Sequence, residues 1–138
     1  MEIDRCRNHR MKGEKCAIID TNAFIYSFLQ KVNLFEELKE YGIHSFLVTS
    51  KVVKELEELK KEGGKTKIAA SVSLDLIKKR CSVIEISNKS ADESLLSIAK
   101  QQNCVLITND KRLKKIAKKN GIPTGCITLS KLKIDFFL

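Results

Sequence analysis

Several features are missing from this 138-residue sequence, and each absence excludes a class of protein. No apolar run approaches the roughly 20 residues that a membrane-spanning helix needs. The segment up to Arg10 has no apolar core of a signal peptide. Internal repeats and low-complexity tracts are absent as well. We therefore expect a cytoplasmic protein with one main domain and no membrane partner.

Tryptophan is absent, and aromatic residues make up only 6% of the chain. Platforms on which nucleobases stack are therefore scarce. Positive charge is plentiful, because 26 Lys and Arg residues oppose 17 Asp and Glu residues and leave a net charge of +9. Such an excess favours a polyanionic partner held mainly through its phosphates, although a solvated lysine-rich surface is the alternative.

The five cysteines form no Cys-x-x-Cys pair. Cys16, Cys104 and Cys126 lie in or beside apolar runs, so we interpret them as small buried hydrophobic residues in a reducing cytosol. Cys6, His9 and Cys16 are potential zinc ligands, but a fourth ligand and the usual spacing are missing. The sequence therefore favours unpaired structural cysteines.

Short apolar runs alternate with amphipathic stretches along the chain, a pattern typical of βαβ units. Ser50 is positioned to cap one helix, Gly63 and Gly64 to stop it, and Ser90 with Glu93 to form a capping box. We predict a three-layer α/β/α sandwich with a central parallel sheet over residues 15–138, preceded by an N-terminal arm over residues 1–14. The predicted strands are 16–19, 46–49, 82–86, 104–107 and 125–128, and the helices are 23–29, 34–41, 50–61, 66–79, 90–101 and 110–120.

Four acidic residues are predicted to share one edge of this sheet. Asp20 and Asp110 follow the first and fourth strands directly, at the carboxyl ends where such folds bind ligands. Asp92 falls in the first turn of the helix that precedes the fourth strand, and the start of that helix is expected near the same edge. Glu55 is the acid of its helix that lies nearest the apolar face. Carboxylates without His or Cys favour Mg²⁺ or Mn²⁺, which can polarise a phosphodiester and activate water.

Each acid also has a purely structural alternative. Acids that directly follow strands are common helix N-caps. Asp92 can complement a helix dipole, and Glu55 can pair with Lys51 or Lys54. Four separate segments that supply acids to one edge favour the metal-binding interpretation over four coincidences.

The same segments resemble the motifs of PIN-domain nucleases. Ile18–Asn22 resembles the opening motif, Val52–Leu56 the second, Ser90–Ala99 the third, and Val105–Leu113 the fourth. The segment Asn120–Pro123, which follows the fourth motif, also resembles the corresponding segment of that family. The resemblance covers nearly the whole chain, from about residue 16 to 130.

This resemblance implies Mg²⁺- or Mn²⁺-dependent cleavage of RNA, with Asp20, Glu55, Asp92 and Asp110 as the catalytic, metal-binding acids. It also implies that Asn22 and Thr108 support those acids by hydrogen bonds. A fifth acid after Asp110 is not evident, and the zinc ribbon of some ribosome-maturation members is missing.

The function expected from this resemblance is an endoribonuclease of rRNA or other RNA processing. The alternatives are a toxin ribonuclease like the VapC proteins, with an antitoxin partner, and a catalytically silent RNA-binding protein of the same fold. A receiver-like signalling domain fits less well, because paired early acids and a late lysine are not evident. RNA is the expected main partner, and a homodimer is compatible with the sequence.

Two basic segments are candidates for binding RNA. One is the helix after Asp110, whose Leu113 and Ile116 are expected to face the core. The other follows the glycine pair. The candidate residues are Lys65, Lys67, Lys111, Arg112, Lys114 and Lys115.

Overall fold

The computed structural model describes residues 15–86 and 90–135. Strands and helices alternate along these residues. The strands are β1 (Lys15–Ile19), β2 (Ile43–Thr49), β3 (Ser82–Ile84), β4 (Cys104–Ile107), β5 (Thr124–Ile127) and β6 (Leu132–Asp135). The helices are α1 (Thr21–Leu29), α2 (Leu34–Glu40), α3 (Ser50–Leu59), α4 (Gly64–Arg80), α5 (Ala91–Gln102) and α6 (Lys111–Lys119).

The strands form one sheet in the order β3-β2-β1-β4-β5-β6. The first five are parallel, and β6 pairs antiparallel with β5. The expected central parallel sheet is confirmed, whereas the antiparallel edge strand was not predicted. Because the chain moves outward from β1 in one direction and from β4 in the other, the strand order reverses between these two neighbours. Ligands of open α/β sheets bind at the carboxyl side of such a point.

Two hydrophobic cores cover opposite faces of the sheet, which confirms the three-layer sandwich. Successive strand residues point to opposite faces, so Ala17 and Ile19 contribute to one core and Cys16 and Ile18 to the other. Residues of α1 to α4 complete the first core, and residues of α5 and α6 complete the second. The central strands β1 and β4 are therefore buried on both sides, which explains their continuous apolar sequences.

Helix starts follow the expected chemistry with two corrections. The capping box of Ser90 and Glu93 is present at α5. Thr49 rather than Ser50 caps α3, because the Thr49 hydroxyl accepts from the Val52 amide at 3.2 Å. The expectation that Gly63 and Gly64 stop that helix was wrong: α3 ends at Leu59, and Gly63 is the N-cap of α4.

The interpretation of Cys16 and Cys104 as unpaired cysteines was also wrong. Both are fully buried, and they form a disulfide between the amino ends of β1 and β4, with Cα atoms 4.7 Å apart. The bridge forms because parallel register places these two residues directly opposite each other. Cys81 and Cys126 carry free thiols. Cys6 and His9, and with them the whole predicted arm, lie outside the described residues.

Within residues 15–86 and 90–135, no helix combines the length and apolarity needed to cross a membrane.

Candidate active site

Asp20 lies at the carboxyl end of β1, where the chain turns into α1. Its amide donates to the carbonyl of Ile107 at 2.9 Å, which holds the end of β1 against β4. The half-buried carboxylate is the N-cap of α1, since Oδ1 accepts from the Thr21 amide at 2.8 Å. The structural role as a cap is therefore present. The cap uses only Oδ1, so the second carboxylate oxygen of Asp20, Oδ2, is left to contact other side chains.

The buried Thr108 hydroxyl connects the ends of β1 and β4. It donates to Asp20 Oδ2 at 2.7 Å and accepts from the amide of Asp110 at 3.1 Å. The Thr108 amide donates to the Gly125 carbonyl at 2.9 Å, which ties the same residue to β5. One hydroxyl therefore holds two segments that each carry a candidate acid.

Asn22 and Asn109 extend this network. The Asn22 side chain donates to Asp20 Oδ2 at 3.2 Å and accepts from the Asn109 amide at 2.8 Å. The Asn109 side chain in turn accepts from the Ile127 amide at 2.8 Å and donates to its carbonyl at 2.9 Å. Sequence analysis assigned no role to Asn109. An amide side chain between Thr108 and Asp110, directly after a buried strand, was the available signal.

Asp110 is the N-cap of α6. Its Oδ1 accepts from the amides of Arg112 at 2.9 Å and Leu113 at 3.2 Å. The half-buried carboxylate therefore stands at the carboxyl end of β4, next to Thr108. As for Asp20, the cap role coexists with a position at the edge of the sheet where ligands bind.

Glu55 is exposed near the middle of α3 and reaches across to α1, where the Thr21 hydroxyl donates to its carboxylate. Thr21 is a second residue that sequence analysis left without a role. Its position next to Asp20 was the available signal, but its partner lies 34 residues away in the chain. The contact connects α3 to the loop that carries Asp20.

Asp92 lies in the first turn of α5 and is half-buried. The pKa of the nearby Asp20 carboxyl is raised, and the negative charge of Asp92 is one of the causes. Burial is the largest cause, hydrogen bonds from Thr108 and the Thr21 amide act in the opposite direction, and the negative charges of Glu55 and Asp92 raise it further. Two acids from other segments therefore act on the Asp20 carboxylate at this edge.

The described residues contain no group of three or more His, Cys, Asp and Glu side chains arranged to hold a metal ion. Mg²⁺ does not require such a group, because it keeps several waters and is commonly bound by one or two carboxylates. The donors at this edge are oxygens, and the pKa of the Asp20 carboxyl is raised first by burial and further by the negative charges of Glu55 and Asp92. A hydrated divalent cation therefore fits the chemistry of the residues present.

The basic residues predicted to bind RNA lie in two places. Lys111, Arg112 and Lys115 are exposed on α6, which begins beside Asp110. Lys114 is half-buried, with its ammonium 3.3 Å from the sulfur of Cys126. Lys65 and Lys67 are exposed near the start of α4, and within the described residues no hydrogen bond or ion pair joins either to the acids.

Comparison with known proteins identifies a family. The model of the PIN-like domain matches residues 17–130. Ribonuclease VapC9 of Archaeoglobus fulgidus is 42% identical over 126 residues, which cover 91% of this chain and 90% of that protein. Ribonuclease VapC4 of Methanocaldococcus jannaschii is 34% identical, covering 81% and 89%. The rRNA-processing protein fcf1 of Schizosaccharomyces pombe is 32% identical, covering 86% of this chain and 62% of that protein.

Solved structures agree with this result. The PIN domain endonuclease Utp24 superposes with a TM-score of 0.75 at 29% identity, covering 91% of this chain and 94% of that one. The VapBC2 complex of Rickettsia felis, bound to a promoter DNA fragment, contains a chain with a TM-score of 0.52 at 19% identity, covering 82% and 99%. The latter likeness concerns the fold alone.

Proposed function

Because the chain belongs to the family of PIN-like domains, we propose that it is a metal-dependent endoribonuclease whose catalytic acids are Asp20, Glu55, Asp92 and Asp110. The observation that carries this proposal is the placement of Asp20 and Asp110 at the adjacent carboxyl ends of β1 and β4, joined by the Thr108 hydroxyl, with Glu55 held beside Asp20 by Thr21. The negative charges of Glu55 and Asp92 also raise the pKa of the half-buried Asp20 carboxyl, after burial itself. Burying a carboxylate near two others destabilises a protein unless a cation offsets the charge. An acid cluster at the switch point of an α/β sheet is therefore best explained by a bound metal.

In this proposal Asp20 and Asp110 hold Mg²⁺ or Mn²⁺, with Glu55 and Asp92 as direct or water-mediated ligands. When bound, such an ion polarises the phosphodiester, lowers the pKa of water and stabilises the leaving oxygen. Other side chains of the protein orient the acids that hold the ion. Asn22 and Thr108 orient the Asp20 carboxylate, and Thr21 orients Glu55.

RNA is the proposed substrate because the similar proteins are named as ribonucleases and as an rRNA-processing protein. The net charge of +9 supports a polyanionic substrate. The proposed contacts to its phosphates are those of Lys111, Arg112, Lys114 and Lys115 on α6, which starts at the acidic edge. Lys65 and Lys67 on α4 are a second proposed patch.

A processing nuclease remains our main proposal, and a VapC-type toxin is the second. The second is favoured by the 42% identity to ribonuclease VapC9, which exceeds the 32% to fcf1. The two differ in partner, since a toxin needs an antitoxin that suppresses its cleavage. Homodimer formation, a cytoplasmic location and the division into an arm of residues 1–14 and a domain of residues 15–138 stay predictions.

The deciding experiment is incubation of the purified full chain with total RNA and Mn²⁺, followed by mapping of the new ends. We expect discrete internal cuts that disappear when EDTA removes the metal. Cuts confined to rRNA precursors support processing, whereas cuts in mature RNA that a cognate antitoxin abolishes support the toxin function. RNA binding without cleavage would instead identify a catalytically silent member of the family.

A further inference from the structure

The Asn109 side chain continues the pairing of β4 with β5 beyond the end of β4. The two strands are joined at Thr108, whose amide donates to the Gly125 carbonyl at 2.9 Å. Two residues further along β5, both backbone groups of Ile127 bind the Asn109 side chain, the amide at 2.8 Å and the carbonyl at 2.9 Å. A carboxamide can do this because it carries a donor and an acceptor side by side. The chain that leaves β4 is therefore held against β5.

Ile127 is itself held in place by the hairpin of β5 and β6. Its side chain is buried in the first core, and the residue lies opposite Leu132 of β6. The Leu132 amide donates to the Glu37 carboxylate at 2.8 Å, which ties the hairpin to α2. Asn109 is thus attached to a part of the fold that is fixed by contacts other than those of the acids.

The backbone at residues 109 and 110 supports both side chains that contact Asp20 Oδ2. The Asn109 amide donates to the side-chain oxygen of Asn22 at 2.8 Å, so Asn22 presents its side-chain nitrogen to Asp20 at 3.2 Å. The Asp110 amide donates to the Thr108 hydroxyl at 3.1 Å, and that hydroxyl donates to Asp20 at 2.7 Å. A shift of this backbone would therefore move both contacts of Asp20 and the Asp110 side chain together.

We propose that Asn109 is a positioning residue for the metal ion and acts on it through Asn22, Thr108 and the acids. The proposal rests on the nuclease function proposed above. The two bonds to Ile127 fix the point at which the chain leaves β4, and with it the relative positions of the Asp20 and Asp110 carboxylates. Mg²⁺ tolerates little departure from octahedral coordination, so displaced carboxylates bind it more weakly. If Asn109 only completed the sheet, its loss would affect stability and leave metal binding unchanged.

Binding of Mn²⁺ by the full chain tests this role without requiring cleavage. The electron paramagnetic resonance signal of free Mn²⁺ gives the Kd, at a temperature at which circular dichroism shows every variant to be folded. Asn109→Ala is expected to raise the Kd by about tenfold, because residues that orient metal ligands through hydrogen bonds commonly have effects of this size.

The matched control is Ile77→Val, which destabilises the fold at the other edge of the sheet. Ile77 is buried near the end of α4, which leads to the amino end of β3. Loss of a buried methyl group lowers stability, but the Kd for Mn²⁺ should stay at the wild-type value. Asn22→Ala tests the route of the effect. In that background Asn109→Ala should raise the Kd by a smaller factor than it does in the wild type, because the two residues are coupled.

An unchanged Kd in Asn109→Ala, the same rise in Ile77→Val, or fully additive effects of Asn109→Ala and Asn22→Ala would overturn the positioning role. Cleavage of RNA by the same preparations separates this inference from the nuclease proposal. A wild type that cuts RNA, with normal Mn²⁺ binding by Asn109→Ala, refutes the positioning role and leaves the nuclease function standing. Mn²⁺ binding that depends on Asn109 in a protein that cuts no RNA refutes the nuclease function and retains the positioning role. A wild type that binds no Mn²⁺ refutes both.

Discussion

The two ends of β1 and β4 are held together by different kinds of interaction. At the amino ends, the fully buried Cys16 and Cys104 form a disulfide inside an apolar core. At the carboxyl ends, a hydroxyl links Asp20 to the amide of Asp110, and further negative charge lies nearby. One end is thus stabilised covalently, and the other tolerates repulsion between acids. The comparison indicates that stability and chemistry can be perturbed separately along the same two strands.

The largest expected effect is on cleavage, from a change at the carboxyl end. Asp110→Asn should keep the fold, because Asn is an equally good N-cap for α6. It should lower RNA cleavage by on the order of a hundredfold or more, because a metal ion contributes several kcal/mol to transition-state stabilisation. The rate on a defined RNA with Mn²⁺ measures this, and circular dichroism monitors the fold. A near wild-type rate would exclude Asp110 as a metal ligand.

The second prediction concerns the amino end. Removing the disulfide with a reductant should lower the free energy of unfolding by about 2–4 kcal/mol, because the bridge closes a loop of 88 residues. Cleavage measured below the melting temperature should be unchanged. The double variant Cys16→Ala/Cys104→Ala is the control, since its denaturation midpoint should not respond to reductant. An intact mass that shows five free thiols would contradict the bridge.

The third prediction concerns the hydrogen bonds that join the carboxyl end of β4 to the neighbouring strand β5. Asn109→Ala removes both side-chain hydrogen bonds to Ile127 and should destabilise the protein by about 1–3 kcal/mol, because backbone groups lose their partners. Asn120→Ala is the matched control, since it removes one exposed hydrogen bond, from the Asn120 side chain at the end of α6 to the Ile116 carbonyl of that helix. Equal unfolding midpoints for the two variants would mean that the Asn109 bonds contribute little.

The fourth prediction concerns the repulsion between Glu55 and Asp20 at the carboxyl end of β1. Glu55→Gln should lower the pKa of Asp20, because it removes a negative charge that raises it, while burial continues to act. An NMR titration of the Asp20 carboxyl carbon without metal measures the shift, and Glu57→Gln is the control. An unchanged titration in Glu55→Gln would show that the two charges do not interact.

The raised pKa of Asp20 also determines how the stability of the metal-free protein changes with pH. A raised pKa means that folding favours the protonated carboxyl. Its stabilising contribution is complete below the unfolded pKa and is lost as pH rises through the folded pKa. The metal-free Glu55→Gln protein should lose less stability over that interval than the wild type, as urea unfolding at several pH values can measure.

The smallest effect is expected from the exposed charges of α6. Removing Lys111 and Lys115 together should reduce the salt dependence of single-stranded RNA binding by a slope of about 1.4, if each contacts one phosphate. We choose this pair because Lys114 contacts Cys126. Lys78→Ala/Lys79→Ala on α4 provides a control with the same loss of charge. An unchanged slope would locate the RNA path elsewhere.

The antiparallel β6 shows where prediction from sequence reached its limit. Leu132–Asp135 alternates apolar and polar residues over only four positions, too few for a reliable pattern. Its pairing with β5 supplies the hydrogen bonds that define it as a strand. The roles of Thr21 and Asn109 were missed for a related reason, since each depends on a partner distant in the chain.

The sequence by itself determined the alternation of strands and helices, the burial of β1 and β4, and the position of Asp20 and Asp110 directly after them. These follow from local hydrophobic periodicity and from the caps that start helices. Only the tertiary structure decided that Cys16 lies opposite Cys104, that Thr108 links two strand ends, and that Glu55 reaches Thr21. Such contacts arise from strand register and helix packing, which bring together segments that no local pattern connects.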